Sequence, residues 1–183
     1  MRVKPDRVEV ERIAIPRDFQ KFHSQVTLVA DVFFVNEVPF LITLSRNLRF
    51  VTVQYMRSRT ASQLSNSLAK VCKLYGSASY TVKVMLMDME FDPVAEQMLH
   101  ITVNTAAARE HVPEVEREIR TVKERCRGTI NTLPFKNLPQ RVIIELVAYV
   151  ALWLNAFPAK NGISRDYSPR EIISGHRLDY KKH

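Results

Sequence analysis

The chain has 183 residues, near the usual size of one domain and long enough to bury a core. Hydrophobic residues make up 46% and charged residues 25%, which excludes disordered, collagenous and disulfide-stapled classes; Cys72 and Cys126, with no CxxC pair, fit a reducing, intracellular compartment. Lys and Arg together number 27 against 19 Asp and Glu, a net charge of +8, so the protein's field attracts polyanions, nucleic acid first among them.

Met1 to Gln20 mixes charges and lacks the apolar stretch of a secretory signal, and through Ser24 the segment reads as a solvated arm, interrupted by Pro5 and Pro16. The run VTLVADVFFV, Val26 to Val35, is β-branched and aromatic on both faces, which predicts a central strand covered on both sides. Asn36 and Glu37 supply a turn, and Pro39 to Leu44 and Phe50 to Tyr55 extend an antiparallel meander. Leu64, Leu68, Val71 and Tyr75 recur at helical spacing over Ala61 to Tyr75, with Gly76 where a left-handed C-cap belongs. Thr81 to Met87 returns to strand character, Pro93 to Leu99 suits a short helix and Ile101 to Thr105 a fifth strand. Glu114 to Arg127 is rich in helix formers, Pro134 and Pro139 bracket a link, and Gln140 to Phe157 reads as a buried apolar helix too short to span a bilayer. Pro158 to His183 is a polar, basic tail. The order is βββαβαβαα in one mixed α/β domain: an arm over 1–25, a core over 26–160 and a basic extension over 161–183.

Three carboxylates stand out. Asp31 interrupts a strand, where aspartate is disfavoured and a buried charge needs compensation. Asp88 ends the VKVMLM strand and Glu116 opens a helix, so strand ends and a helix start could bring all three together. Clustered carboxylates repel unless a cation neutralises them, and Mg²⁺ takes hard oxygen ligands while keeping places for water and phosphate. Two such ions could activate a water or hydroxyl and stabilise the leaving oxygen in phosphoryl transfer on DNA or RNA. Arg120, Lys123 and Arg127 follow Glu116 on one helix face, a stripe suited to phosphates; the bland reading is a Glu116–Arg120 pair on a solvated helix. Arg109 and His111, in the loop AAAREHVPE, are candidate nucleic-acid contacts. Met85, Met87 and Met89 read as strand packing, Trp153 as core or oligomer interface, and the two cysteines as inert thiols.

These residues resemble the catalytic core of a retroelement integrase of the D,D,E class, most closely integrases of copia-type long-terminal-repeat retrotransposons. From about Val26 to the C-terminus, ADVFFVN resembles the first motif with its metal-binding aspartate at Asp31, and MLMDMEF the second with Asp88. HVPEVEREIRTVKER resembles the helix carrying the glutamate, E-R-x-x-R-T from Glu116, and SPREIISG the stretch after the core. The resemblance implies a ribonuclease H-like fold, a mixed five-stranded sheet flanked by helices, with Asp31, Asp88 and Glu116 as catalytic metal ligands for Mg²⁺ or Mn²⁺. It further implies DNA contacts at Arg120 and Lys123, with Arg127 more distant, a homo-oligomer, and DNA 3′-end processing and strand transfer in the nucleus. Met89 stands where relatives usually carry glycine or asparagine, the Asp88-to-Glu116 gap is shorter than usual, and Glu114 is a fallback ligand. His23 has no cysteine near it, so no zinc is expected, and the chain reads as a core fragment of a polyprotein or a degraded copy. A non-catalytic remnant that only binds nucleic acid, and a ribonuclease H-type nuclease, are the alternatives.

Overall fold

The computed structural model describes residues 11–88, 91–95, 101–104, 113–135 and 137–177. Among the described residues five strands form one sheet in the order β3-β2-β1-β4-β5. β1 (Gln25–Val35) lies at the centre, β2 (Val38–Ser45) and β3 (Val51–Tyr55) extend it antiparallel, and β4 (Thr81–Leu86) and β5 (Thr102–Asn104) run parallel to β1 on its other side. The double-sided apolar run of β1 is explained by two separate cores. Leu28 and Ala30 pack with α2 (Ala61–Ser77), while Val29, Phe33 and Val35 pack with α4 (Pro113–Thr132) and α5 (Gln140–Leu154) on the opposite face. The β1–β2 turn sets Asn36 at φ 45° and Glu37 at φ 65°, the paired left-handed geometry of a tight hairpin whose twist matches its strands.

The parallel β1–β4 pairing requires a crossover, which α2 supplies, its Leu64, Leu68, Val71 and Tyr75 buried as the spacing predicts. Gly76, however, lies inside α2 rather than beyond it, and Ser79, at φ 63°, takes the left-handed position. Of the short helix expected over Pro93 to Leu99, the start is present as α3 (Asp92–Ala95), and the rest lies outside the described residues. Met85 and Met87 are buried, as strand packing requires, whereas Met89 lies outside the described residues.

Three further expectations are corrected. The opening segment is not wholly a solvated arm: α1 (Arg17–His23) forms there, Phe19 meets Tyr167 edge-on at 5.9 Å, and Arg12 bridges to His176. The segment after Pro158 is not simply a polar tail. It forms α6 (Pro169–Ser174), with Ile172 and Ile173 in the α2-side core. Ser168 and Glu171 make a capping box, Pro169 starts the helix, and Gly175 ends it at φ 66°. Arg177 pairs with Glu171 at 3.3 Å and with Glu11 at 3.6 Å, drawing both terminal segments together. The observed order is therefore αβββαβαβααα.

The third correction concerns α5, which is buried on one side only. Ile143, Val147, Val150 and Ala151 face the sheet, while Val142 and Tyr149 remain exposed beside a row of rings, Tyr149–Trp153–Phe157, spaced 6.0 Å apart. Just past α5, buried Asn155 accepts a hydrogen bond from the Val51 N–H at 2.8 Å and donates to the Val51 carbonyl at 2.7 Å. No helix among the described residues is long and apolar enough to cross a membrane.

Candidate nucleic-acid and metal site

Asp31 lies in the middle of β1 opposite Ile42, half-buried, and accepts a hydrogen bond from the Val32 N–H at 2.6 Å. It is not at a strand end. Side chains alternate along a strand, so Asp31 shares the α4 face with Val29 and Phe33. The last parallel pair between β1 and β4 is Val29 with Leu86; two residues on in sequence, Asp31 is still inside β1, whereas Asp88 lies beyond the end of β4. Met85 and Met87 enter the α2-side core and Leu86 packs on the α4-side core. Asp88 is exposed, and its carbonyl accepts from the Phe91 N–H at 3.0 Å.

Glu116 lies exposed in the first turn of α4. Val115, Ile119, Val122 and Cys126 form the stripe that α4 packs on the sheet. At 100° per residue, Glu114 and Glu118 fall on one flank of that stripe and Glu116, Lys123 and Arg127 on the other. The first flank is tied down: Glu114 accepts from Arg46 and Glu118 from Arg49, each at 3.1 Å, fixing the start of α4 against the β2–β3 turn. That employment leaves Glu114 a poor substitute ligand. On the second flank and beside it, Arg120, Lys123 and Arg127 form no salt bridge among the described residues, and Lys123 and Arg127 line a cleft of about 490 Å³ with Phe34, Val35, Asn36, Ile130 and Asn131.

Sequence reasoning missed Phe34, Asn36 and Asn131 as partners of the basic stripe. Asn131 had a signal, lying one turn beyond Arg127, but the β1–β2 turn reaches this face only through the fold. Arg109 and His111 lie outside the described residues.

Aspartate and glutamate oxygens suit Mg²⁺ or Mn²⁺, and Mg²⁺ is commonly held by one or two carboxylates with water and phosphate completing its shell. Asp31 and Asp88 have the oxygen chemistry that such an ion takes. Among the described residues, however, no three His, Cys, Asp or Glu side chains stand close enough to hold a metal together, so the structure does not gather Glu116 with the two aspartates as a ligand cluster. The thiols offer no alternative chemistry. Burial pushes Cys126 up to about 11 and raises Cys72 as well, which keeps both protonated at neutral pH and poor as nucleophiles.

No protein-family model and no curated protein matches the chain. Among solved structures, the catalytic core domain of BIV integrase matches with a TM-score of 0.54 at 18% identity, covering 80% of this chain and 92% of that one. With its five-stranded mixed sheet and flanking helices, the chain has the ribonuclease H-like fold of an integrase catalytic core.

Proposed function

We propose that the chain is a divalent-metal-dependent polynucleotidyl transferase core that processes DNA 3′ ends and joins them to target DNA, as the copia-type, D,D,E-class resemblance implies. The observation that carries this reading is that Asp31 interrupts the central strand on the sheet face that α4 covers, while Asp88 follows the parallel neighbour β4, two residues after the Leu86 that pairs with Val29. Asp31 and Asp88 would hold one ion, and Glu116 with either aspartate a second. When bound, such ions lower the pKa of a water or 3′ hydroxyl and offset charge at the leaving oxygen. The chain's own part is to orient the DNA: Arg120, Lys123 and Arg127 contact phosphates along α4, and Arg109 and His111 contact the DNA end. No side chain becomes covalently attached to the substrate. Action in the nucleus and homo-oligomeric assembly belong to the same reading, the latter supported by the exposed apolar residues of α5.

A second reading, a non-catalytic remnant that binds nucleic acid through its charge, is favoured by the absence of a three-ligand cluster among the described residues. One experiment separates the two: strand cleavage and rejoining on a branched DNA that mimics an integration intermediate, with Mn²⁺, comparing the chain with Asp88→Asn. The transferase reading expects metal-dependent products that disappear in the variant. Folded protein that yields no products, or equal products from Asp88→Asn, overturns the assignment of Asp88 to a working centre.

A further inference from the structure

The free edge of β3 opens into a groove. The Ser45 N–H donates to the Phe50 carbonyl and the Met56 N–H to the Pro39 carbonyl, each at 3.1 Å, so the backbone groups of Phe50 and Met56 face β2. Backbone direction alternates along an edge strand, which turns Val51, Val53 and Tyr55 outward. The Asn155 amide engages Val51, whereas the outward groups of Val53 and Tyr55 have no hydrogen-bond partner among the described residues. Beside them lies a cavity of about 310 Å³, lined by β3 from Val51 to Gln54, by Phe50 before it, by Ala148 and Leu152 of α5, by Leu74 of α2 and by Arg170 of α6. Val53 packs on the α4-side core and Phe50 on the α2-side core, so a space that touches both straddles the edge of the sheet.

The walls are largely apolar, and their cation, Arg170, forms no salt bridge among the described residues. Arg170 belongs to the Val51 end of the groove, where its N–H donates to the Asn155 carbonyl at 3.0 Å. A strand added to this edge meets two conditions at that end: the Asn155 amide already holds the Val51 groups, and a guanidinium stands where the strand must stop. A terminal carboxylate satisfies both, because it ends the chain and pairs with the cation. Only a strand antiparallel to β3 brings its C-terminus there.

We propose that this groove binds the C-terminal segment of a partner protein as an added antiparallel strand, with its carboxylate on Arg170 and an apolar penultimate residue opposite Val53. That residue exchanges two backbone hydrogen bonds with Val53 and directs its side chain to the same sheet face, toward Ala148 and Leu152. The fourth residue from the end repeats the exchange with Tyr55. The proposal stands apart from the metal chemistry and from nucleic-acid binding.

The test is titration of the full chain with acetyl-Gln-Thr-Val-Thr-Val-Ser carrying a free C-terminus, followed by calorimetry and by amide hydrogen exchange read by NMR. The expected result is binding with slowed exchange at the Val53 and Tyr55 N–H groups. Amidation of the peptide's C-terminus and Arg170→Gln should each weaken binding about tenfold, and the two together little more than either alone, since both remove the same charge-assisted hydrogen bond. Methylation of the penultimate valine nitrogen should weaken binding at least about tenfold, because the donor to the Val53 carbonyl is lost. Ala148→Glu, at an exposed position of α5, should keep the fold and also weaken binding. Equal affinity for the free-acid and amidated peptides, indifference to N-methylation, protection confined to other surfaces, or no binding overturns the proposal. So does exchange at Val53 and Tyr55 that slows with protein concentration when no peptide is present, which would make a second copy of the chain the occupant of this edge.

Discussion

The two flanks of α4 use charge in opposite ways. Glu114 and Glu118 are each matched to an arginine of the β2–β3 turn, and these pairs hold the helix start against the sheet. Lys123 and Arg127, across the same apolar stripe, are matched to nothing among the described residues and open onto a cleft. One helix thus carries a structural edge and an edge with charge left over for a ligand. Composition alone does not separate them; the position of each charge around the helix does.

The largest effect should come from the stripe between the flanks. Cys126 titrates near 9 in the unfolded chain and about 11 when buried, so the folded state retains its proton longer. Its contribution to stability is complete below pH 9 and is lost as pH rises to about 11, roughly 3 kcal/mol in all. Denaturation across that window should show a steeper decline for the parent than for Cys126→Ala, and parallel curves would mean that the thiol is not shielded as its burial implies.

On the anchored flank, Arg49 and Glu118 are both largely buried, with side chains 18% and 19% exposed. Arg49→Met should cost about 2 kcal/mol, because Glu118 loses a charge-assisted hydrogen bond, yet leave the salt dependence of DNA binding unchanged. A smaller salt slope would show that the two flanks are not separate. On the open flank Lys123→Ala should do the reverse, holding the melting temperature while reducing the slope of log K against log salt by about one counterion. An unchanged slope would move the strand off α4. Arg46→Ala should have the smallest effect, a few tenths of a kcal/mol in chemical denaturation, since that pair is exposed and screened. A loss near that of Arg49→Met would make the anchored flank uniform.

How much was legible follows from what each signal depends on. The β1 run announced a strand covered twice, and both cores are present, because burial on two faces leaves no polar alternation to misread. Asp31 was visible as the exception in that run, and the stripe on α4 was visible because helical spacing is local. α1 and α6 were missed since each is short, and their stability comes from contacts between segments far apart in sequence, Phe19 with Tyr167 and Arg177 with Glu11. The capping box was present in SPREIISG, but a box identifies a helix start and says nothing of what the helix covers. α5 misled in the other direction: its composition suits full burial, while the fold covers only one side. That Asp88 follows the parallel neighbour of the strand holding Asp31 could be read only after the register was known, and the Asn36 wall only after β1 was laid beside α4.

Asn155 has a consequence for how copies of this protein meet. A strand at the edge of a sheet offers unpaired N–H and C=O groups to any neighbouring chain, a route to open-ended association. At Val51 both groups are engaged by one amide side chain, which supplies the donor and acceptor that another strand would bring. A second molecule therefore cannot extend the hydrogen-bond ladder through Val51 without first displacing that amide, and the protein's own fold guards this end of β3 against runaway polymerisation.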